Sequence, residues 1–186
     1  MINRIEIKGY KSIREVGIDL SPINILIGAN GVGKSNFVSF FELINKIYEK
    51  ELENFSMKKG SEMLLHFGSK TTLEMEGYVE FDHKNGYKFT LEPTENGTLF
   101  IQKEQGTFDG KQGLSFTASN WFNKTFSRNT KESQLREHDE SGIGMYVNNY
   151  LQSFKIYHFH DTSTTSKLRT PSTAIQRVGR DFDKEN

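Results

Sequence analysis

The 186-residue sequence predicts an α/β fold, and three observations carry that prediction. An apolar segment runs directly into a glycine-rich loop, and the loop runs directly into a stripe of apolar residues at helical spacing. Short apolar runs separated by turn sequences follow the helix. Because strands with short turns between them pair antiparallel, we expect a mixed sheet with an antiparallel β-meander inserted after this helix.

Two short strands are predicted before the glycine loop. Their apolar positions recur at or near every second residue, as one buried face of a strand requires. They are Ile2, Ile5 and Ile7 in the first strand, and Val16, Ile18 and Leu20 in the second. The connection runs through Tyr10-Lys11-Ser12-Ile13, and Ser21-Pro22 ends the second strand.

The glycine loop is a complete G-x-x-x-x-G-K-S motif, Gly28-Ala29-Asn30-Gly31-Val32-Gly33-Lys34-Ser35. It follows Ile23-Asn24-Ile25-Leu26-Ile27, which we expect to be a strand. Glycines allow backbone N–H groups to converge on phosphate oxygens, which is the chemistry of a phosphate-binding P-loop. Lys34 would contact the β- and γ-phosphates and contribute to catalysis, and the Ser35 hydroxyl would ligate Mg²⁺. We therefore predict a nucleoside triphosphate site over residues 28 to 36, which includes Asn36.

A helix beginning at Ser35 is predicted after the loop. Its apolar residues lie on one face, as a helix packed on a sheet requires. They are Phe37, Phe40, Phe41, Ile44, Ile47 and Tyr48. The positive end of the helix dipole would face the phosphates. A glycine-rich turn with a stray lysine is the alternative interpretation of the motif.

The chain divides into three predicted regions: 1–50 holds the P-loop core, 70–104 the antiparallel meander, and 105–186 a helical and irregular segment. Residues 50 to 70 are polar, and we expect them to be irregular. Residues 105 to 130 show no sustained period and suggest a partly ordered excursion. The spacing of Ile143, Tyr146, Val147, Tyr150, Leu151 and Phe154 predicts a helix, with a strand from Lys155 to Phe159 after it.

Composition limits the environment and the partners. The 24 basic and 24 acidic residues give a formal net charge of zero, so no overall field favours nucleic acid or an anionic membrane. There are no cysteines, which excludes disulfides and thiolate metal sites. No apolar run is long enough to span a membrane. We therefore expect a cytoplasmic protein that does not bind membranes.

The N-terminal motifs resemble the opening of RecF/SMC-type ATPases, an ABC-class branch that includes the OLD-family ATPases. The segments that carry the resemblance are Ile7-Lys8-Gly9-Tyr10-Lys11-Ser12-Ile13, Asp19-Leu20-Ser21-Pro22-Ile23-Asn24 and Gly28 to Asn36. The resemblance implies a P-loop NTPase fold of the ABC/SMC-head type that binds ATP with Mg²⁺. It also implies that Asn30, Lys11 and Ser12 lie near the nucleotide. For Lys11 and Ser12, an exposed connector between two strands is the alternative.

Proteins of this type hydrolyse ATP across a dimer, with a Walker B strand ending in Asp-Glu and a signature segment from the partner. No apolar run here ends in Asp-Glu. Ser141-Gly142-Ile143-Gly144 and Ile156-Tyr157-His158-Phe159-His160-Asp161 imitate signature and Walker B in order, but glycine is expected at Ile143 and no carboxylate follows Asp161. An alternative places His160 and Asp161 beside the nucleotide crevice. We therefore expect the N-terminal half of a longer ATPase, with the C-terminal part of the fold missing.

Several functions fit this resemblance. In full-length form, the protein is expected to hydrolyse ATP and to form an ATP-dependent homodimer, with a role in DNA repair or phage defence. The chain alone is expected to bind ATP without efficient turnover and not to bind DNA appreciably. The alternatives are an OLD-like ATPase that gates a C-terminal nuclease or toxin effector, and a non-catalytic nucleotide-binding interaction module.

Overall fold

One six-stranded sheet organises the computed structural model, which describes residues 1–82, 85–108, 123–138 and 142–155. In chain order the strands are β1 (Ile2–Tyr10), β2 (Ile13–Asp19), β3 (Met75–Phe81), β4 (Asn85–Pro93), β5 (Leu99–Phe108) and β6 (Asn123–Thr130). Their order across the sheet is β2-β1-β3-β4-β5-β6, and every pairing among them is antiparallel. The predicted N-terminal hairpin and the predicted meander therefore share one sheet, joined where β1 pairs with β3.

The described helices are α1 (Lys34–Tyr48), α2 (Leu52–Lys59), α3 (Ser61–Leu64) and α4 (Gly142–Gln152), with a 3₁₀ turn at Leu135–His138. Helix α1 begins one residue before the predicted start, and α4 confirms the helix predicted from the spacing of Ile143 to Phe154. The predicted strand from Lys155 to Phe159 falls outside the described residues except for Lys155. None of the described helices combines the length and the apolar character needed to cross a bilayer.

The prediction that residues 50 to 70 are irregular is wrong, because α2 and α3 lie there. Helix α2 has no local side-chain cap at its N-terminus. Instead, the Glu132 carboxylate accepts hydrogen bonds of 2.9 Å from the backbone N–H groups of Leu52 and Glu53. A carboxylate at this position satisfies free N–H groups of the first turn and complements the helix dipole. Since Glu132 lies about 80 residues further along the chain, local sequence does not reveal the cap.

The helices cover one face of the sheet. Along β1, buried residues alternate with partly exposed ones, so that Ile5 and Ile7 enter the core while Arg4, Glu6 and Lys8 lie on the opposite face. On that opposite face Arg4 pairs with Glu6 at 2.6 Å, and Lys8 pairs with Glu76 of β3 at 2.7 Å. This alternation places the hydrophobic core between the sheet and the helices, as period-two patterning requires.

Helix α1 is anchored to the sheet by Phe40, whose side chain is fully buried. The ring of Phe40 meets Tyr10 edge-on at 5.4 Å and stacks on Phe89 at 5.8 Å between ring centroids. The contact needs a glycine on β3, because a Cβ at Gly77 would lie 2.7 Å from Phe40 Cζ and 2.6 Å from Phe89 Cε1. The close approach of α1 to β3 thus depends on Gly77, and it fixes where the N-terminus of α1 lies.

The predicted strand at Ile23–Ile27 is not a strand in the structure. Ile23, Ile25 and Ile27 are 82%, 78% and 89% exposed, and none of the six described strands pairs with this segment. A strand requires a neighbour for its backbone hydrogen bonds, and the described sheet ends at β2 on one side and β6 on the other. The α/β class holds, and every pairing among the six described strands is antiparallel.

Residues 105 to 130 were expected to form a partly ordered excursion, but residues 105–108 belong to β5 and residues 123–130 form β6. Residues 109–122 lie outside the description. Strand β6 has few apolar residues and pairs with β5. Ser127 of β6 donates a 2.5 Å hydrogen bond to Glu104, a carboxylate that is fully buried and also accepts bonds of 2.7 Å from Tyr87 and Ser133. Burial of the Tyr87 phenol raises its pKa, and the neighbouring Glu104 carboxylate raises it further. This buried polar network links β6 to the sheet, together with the backbone pairing to β5 and the buried side chain of Phe126.

Candidate functional site

The glycine loop, residues 28–33, lies between the Ile23–Ile27 segment and α1; residues 28–32 are exposed and Gly33 is half-buried. Gly31 and Gly33 have φ angles of +84° and +104°. Glycine adopts this region without steric cost, whereas other residues rarely do. Gly33 is also the N-terminal cap of α1, so the loop delivers the chain directly into the helix. Successive backbone N–H groups in such a loop form an anion-binding concavity at a helix N-terminus.

Lys34 lies across this loop. Its ammonium donates hydrogen bonds of 2.7 Å to the carbonyl oxygens of Gly28 and Ala29. An ammonium has three N–H donors, so these two bonds orient the group and leave a third donor for an anion. The first turn of α1 carries no acidic residue that would oppose a bound phosphate. The cation, the loop and the positive end of the helix dipole thus act at the same place.

The tip of the β1–β2 hairpin packs against the start of α1. Asn36 donates a 2.7 Å hydrogen bond from Nδ2 to the Ser12 hydroxyl, and a Cβ built on Gly33 would lie 3.1 Å from the same oxygen. Ser12 therefore lies beside the glycine loop, although 21 residues separate it from Gly33 in the sequence. The structure brings together Ser12, Gly33 and Asn36, three of the residues that the sequence predicts for the site.

Lys11 occupies the same hairpin tip, with a φ angle of +48°. Its ammonium donates a 2.8 Å hydrogen bond to Ser39 Oγ, and Ser39 Oγ donates in turn to the Asn36 carbonyl at 2.9 Å. Burial lowers the pKa of Lys11, an effect opposed by the nearby Glu42 and reinforced by the charge of Lys59. Lys11 is therefore a half-buried cation in the two-residue connection between β1 and β2, and its ammonium is bonded to α1.

Sequence analysis missed three residues that hold Lys11 in place. Ser39 accepts the bond from its ammonium, and the buried Tyr10 hydroxyl donates to the Ser39 carbonyl at 3.1 Å. Nδ1 of His66 lies 2.7 Å from the Lys11 carbonyl oxygen. Ser39 lies four residues after Ser35, so the two serines share one face of α1. This spacing is a sequence signal that could have identified Ser39. His66 is 55 residues from Lys11, and no local pattern connects the two.

The remaining predicted residues lie on the open part of the loop. Ala29 and Asn30 are exposed, as is Val32, whose side chain is 64% accessible. The Ser35 side chain is exposed in the first turn of α1, next to Lys34. A hydroxyl at this position suits Mg²⁺, which prefers oxygen ligands and commonly shares them with substrate phosphates. Within the described ranges, no three acidic, histidine or cysteine side chains converge on a metal-sized space.

The residues that imitate a signature and a Walker B strand are only partly described, because Ser141 and residues 156–161 lie outside the description. Gly142 and Gly144 begin α4. Gly144 is buried, and a Cβ at this position would collide with the carbonyl of His138. Its described role is therefore the close packing of α4 against the 3₁₀ turn at Leu135–His138.

Comparison with known protein families shows which family the chain belongs to. A family model described as an AAA ATPase domain matches residues 1–180. The chain belongs to this family. The match confirms the predicted ATPase class, and the glycine loop lies within the matched ATPase domain.

Two further similarities were found. Urease accessory protein 2 of Cryptococcus neoformans var. grubii is 34% identical over 118 residues, which cover 59% of this chain and 9% of that protein. The chain therefore spans less than a tenth of the length of this relative. A solved structure from work on the ATP-driven dimerization and DNA-stimulated activation of SMC ATPases is 16% identical, with a TM-score of 0.40, and covers 82% of this chain and 99% of that one.

Proposed function

We propose that this ATPase module binds ATP with Mg²⁺ through residues Gly28 to Asn36. One observation carries the proposal: the Lys34 ammonium is held at 2.7 Å over the carbonyls of a loop whose positive-φ glycines lead into the N-terminus of α1. Backbone N–H groups, a cation and a helix dipole on one concavity suit the polyphosphate of a nucleotide.

Within this proposal each residue has a role set by its place. Lys34 contacts the β- and γ-phosphates and stabilises the charge that develops on transfer, and so is the catalytic residue of the chain. The backbone from Gly28 to Gly33, including Asn30, surrounds the phosphates, and Ser35 holds Mg²⁺. Bound there, Mg²⁺ would neutralise phosphate charge. Lys11 and Ser12 support the site through Ser39 and Asn36.

We further propose that ATP hydrolysis requires polypeptide beyond the described residues, from a longer protein or from a second copy bound through ATP. The exposed isoleucines of the Ile23–Ile27 segment support this, since their apolar surface is large and the segment enters the phosphate loop directly. For the longer protein, the proposal includes a role in DNA repair or phage defence. The alternative is an ATPase that gates a nuclease or toxin effector.

The chain alone is expected to bind ATP without useful turnover. Hydrolysis requires a group that orients the attacking water and a second charge on the γ-phosphate, in addition to the loop and its lysine. A phosphate-release assay on the purified chain tests this. Mg²⁺-dependent turnover near 1 per second, abolished by both Lys34→Ala and Asp161→Asn, would show instead that the chain is catalytically complete and that residues 141–161 supply signature and Walker B.

Duplex DNA is expected to bind this chain weakly, with a dissociation constant on the order of 10⁻⁴ to 10⁻⁶ M or weaker at physiological salt. The reason is the formal net charge of zero, which leaves no overall field to attract phosphates. Fluorescence anisotropy with a labelled duplex measures the affinity. Submicromolar binding at that salt would contradict the prediction and reveal a local basic surface that acts without a partner.

A further inference from the structure

The tip of the β1–β2 hairpin contains a residue with a strained backbone. Lys11 has a φ angle of +48°, a region that residues other than glycine rarely adopt because the Cβ crowds the backbone. Such a conformation costs free energy and persists only where the surrounding contacts fix it, and it clusters at functional sites. The contacts that fix Lys11 therefore indicate what the tip does.

Each polar group of Lys11 has a partner on another part of the chain. Its backbone N–H donates to the Leu64 carbonyl at 2.9 Å, and its carbonyl oxygen lies 2.7 Å from Nδ1 of His66. Its ammonium donates to Ser39 of α1 at 2.8 Å. A carbonyl oxygen can only accept a hydrogen bond, so Nδ1 of His66 carries the proton in this contact. The residues at and after the end of α3 and helix α1 thus both hold the tip.

The backbone of His66 is itself fixed. Its N–H donates to the Gly9 carbonyl at 3.0 Å, and its carbonyl accepts a hydrogen bond from the Thr72 hydroxyl. Leu65, the residue before it, is 2% exposed and forms a β-bridge with Tyr10. Because these contacts hold the backbone on both sides of the imidazole, the ring is a pre-positioned donor to the hairpin tip.

The hairpin tip reaches the phosphate loop through Ser12. The Ser12 hydroxyl accepts the 2.7 Å hydrogen bond from Asn36, and it lies 3.1 Å from the point that a Cβ on Gly33 would occupy. Gly33 is the N-terminal cap of α1 and has a φ angle of +104°. A shift of the tip by about 1 Å would therefore break the bond to Asn36 or press against the loop at Gly33.

We infer that His66 is a positioning residue for the phosphate loop: by holding the Lys11 carbonyl, it keeps Ser12 beside the loop in the arrangement that binds phosphates. The inference rests on the proposed function, since it assigns His66 a role in phosphate binding by the glycine loop. In this role His66 acts through the hairpin tip and does not touch the phosphates. When its bond is lost, the competent arrangement is less populated, and the apparent affinity for phosphates falls in proportion.

Isothermal titration of three variants tests the inference, with ATP and with inorganic tripolyphosphate, both in the presence of Mg²⁺. His66→Leu removes the donor, and both ligands are expected to bind about two- to tenfold more weakly, the effect of one lost hydrogen bond. His66→Asn places an amide N–H where Nδ1–H was, so its affinities should stay within about twofold of the parent.

His138→Leu is the matched control. His138 is also a half-buried histidine, and its ring contacts Phe126 of β6, the strand at the opposite edge of the sheet from β2. Its replacement should change neither affinity.

Hydrogen exchange measures the hold on the hairpin tip in the absence of ligand. The Lys11 amide, which donates to Leu64, is expected to exchange faster in His66→Leu than in the parent, and at the parent rate in His66→Asn. Amides of β5 should exchange at the parent rate in both variants, which separates a local loosening of the tip from a general loss of stability.

The inference is overturned if folded His66→Leu binds both ligands as tightly as the parent while Lys34→Ala binds them more weakly. It is also overturned if His66→Asn restores neither the affinities nor the exchange rate, because the effect would then come from the ring and not from its N–H. If Lys34→Ala weakens neither ligand, the proposed phosphate site itself fails and the inference fails with it.

Discussion

Replacing Lys34 by Ala is expected to weaken ATP binding about ten- to hundredfold, since charge-assisted hydrogen bonds of this kind contribute roughly 1.5 to 3 kcal/mol. The ammonium is already positioned over the loop by the carbonyls of Gly28 and Ala29, at 2.7 Å from each. The substitution therefore removes a cation that is already in position before ATP binds. Isothermal titration of ATP with Mg²⁺ measures the loss.

Lys58→Ala is the matched control for this experiment. Lys58 is an exposed lysine in the last turn of α2, outside the loop. The control removes the same formal charge from the chain and should leave ATP affinity close to that of the parent. Should Lys34→Ala bind ATP as tightly as the parent while remaining folded, the assignment of the phosphate site to this loop is wrong.

Replacing Phe40 by Ala is expected to lower the free energy of unfolding by about 3 to 5 kcal/mol. The side chain is fully buried, contacts the rings of Tyr10 and Phe89, and occupies the space that Gly77 leaves open. No neighbour among these is positioned to fill the resulting cavity, because aromatic rings on strands move little without disturbing the sheet. Chemical denaturation followed by circular dichroism measures the change.

Val38→Ala provides the comparison on the same helix. Val38 is 38% exposed and lies outside the hydrophobic core, so its truncation is expected to change the free energy of unfolding by no more than about 0.5 kcal/mol. Equal destabilisation by the two variants would mean that α1 is not anchored through Phe40. Since α1 carries Lys34 and Ser35 at its N-terminus, that result would also remove the structural basis for the position of the site.

Local sequence patterns predicted the elements that carry the site. The glycine motif predicted the loop and the start of α1 to within one residue, and Phe40, Ile44 and Ile47 of the predicted stripe are all fully buried. Alternating apolar residues predicted the β1–β2 hairpin and the meander of β3, β4 and β5. These features depend on periodicity and turn chemistry within a few residues of the chain, and such information is present in the sequence itself.

Contacts distant in sequence decided the rest. Helix α2 begins where Glu132 caps it, and β6 forms where Ser127 meets the buried Glu104. The Ile23–Ile27 segment lacks such a distant contact among the described residues. Its apolar pattern predicts a strand, but no described strand supplies its backbone hydrogen bonds, and the segment remains exposed.

The sequence by itself determined the phosphate loop and its helix, because glycine freedom, the lysine and the apolar stripe are local properties. Only the tertiary structure decided what surrounds them. It joined Ser12 to Asn36 and Lys11 to Ser39 across 24 and 28 residues, and it placed His66 against the Lys11 carbonyl. Buried and half-buried polar groups require hydrogen-bond partners, and these can come from distant parts of the chain. Here the pairing of β1 with β2 and with β3 determines which partners are near.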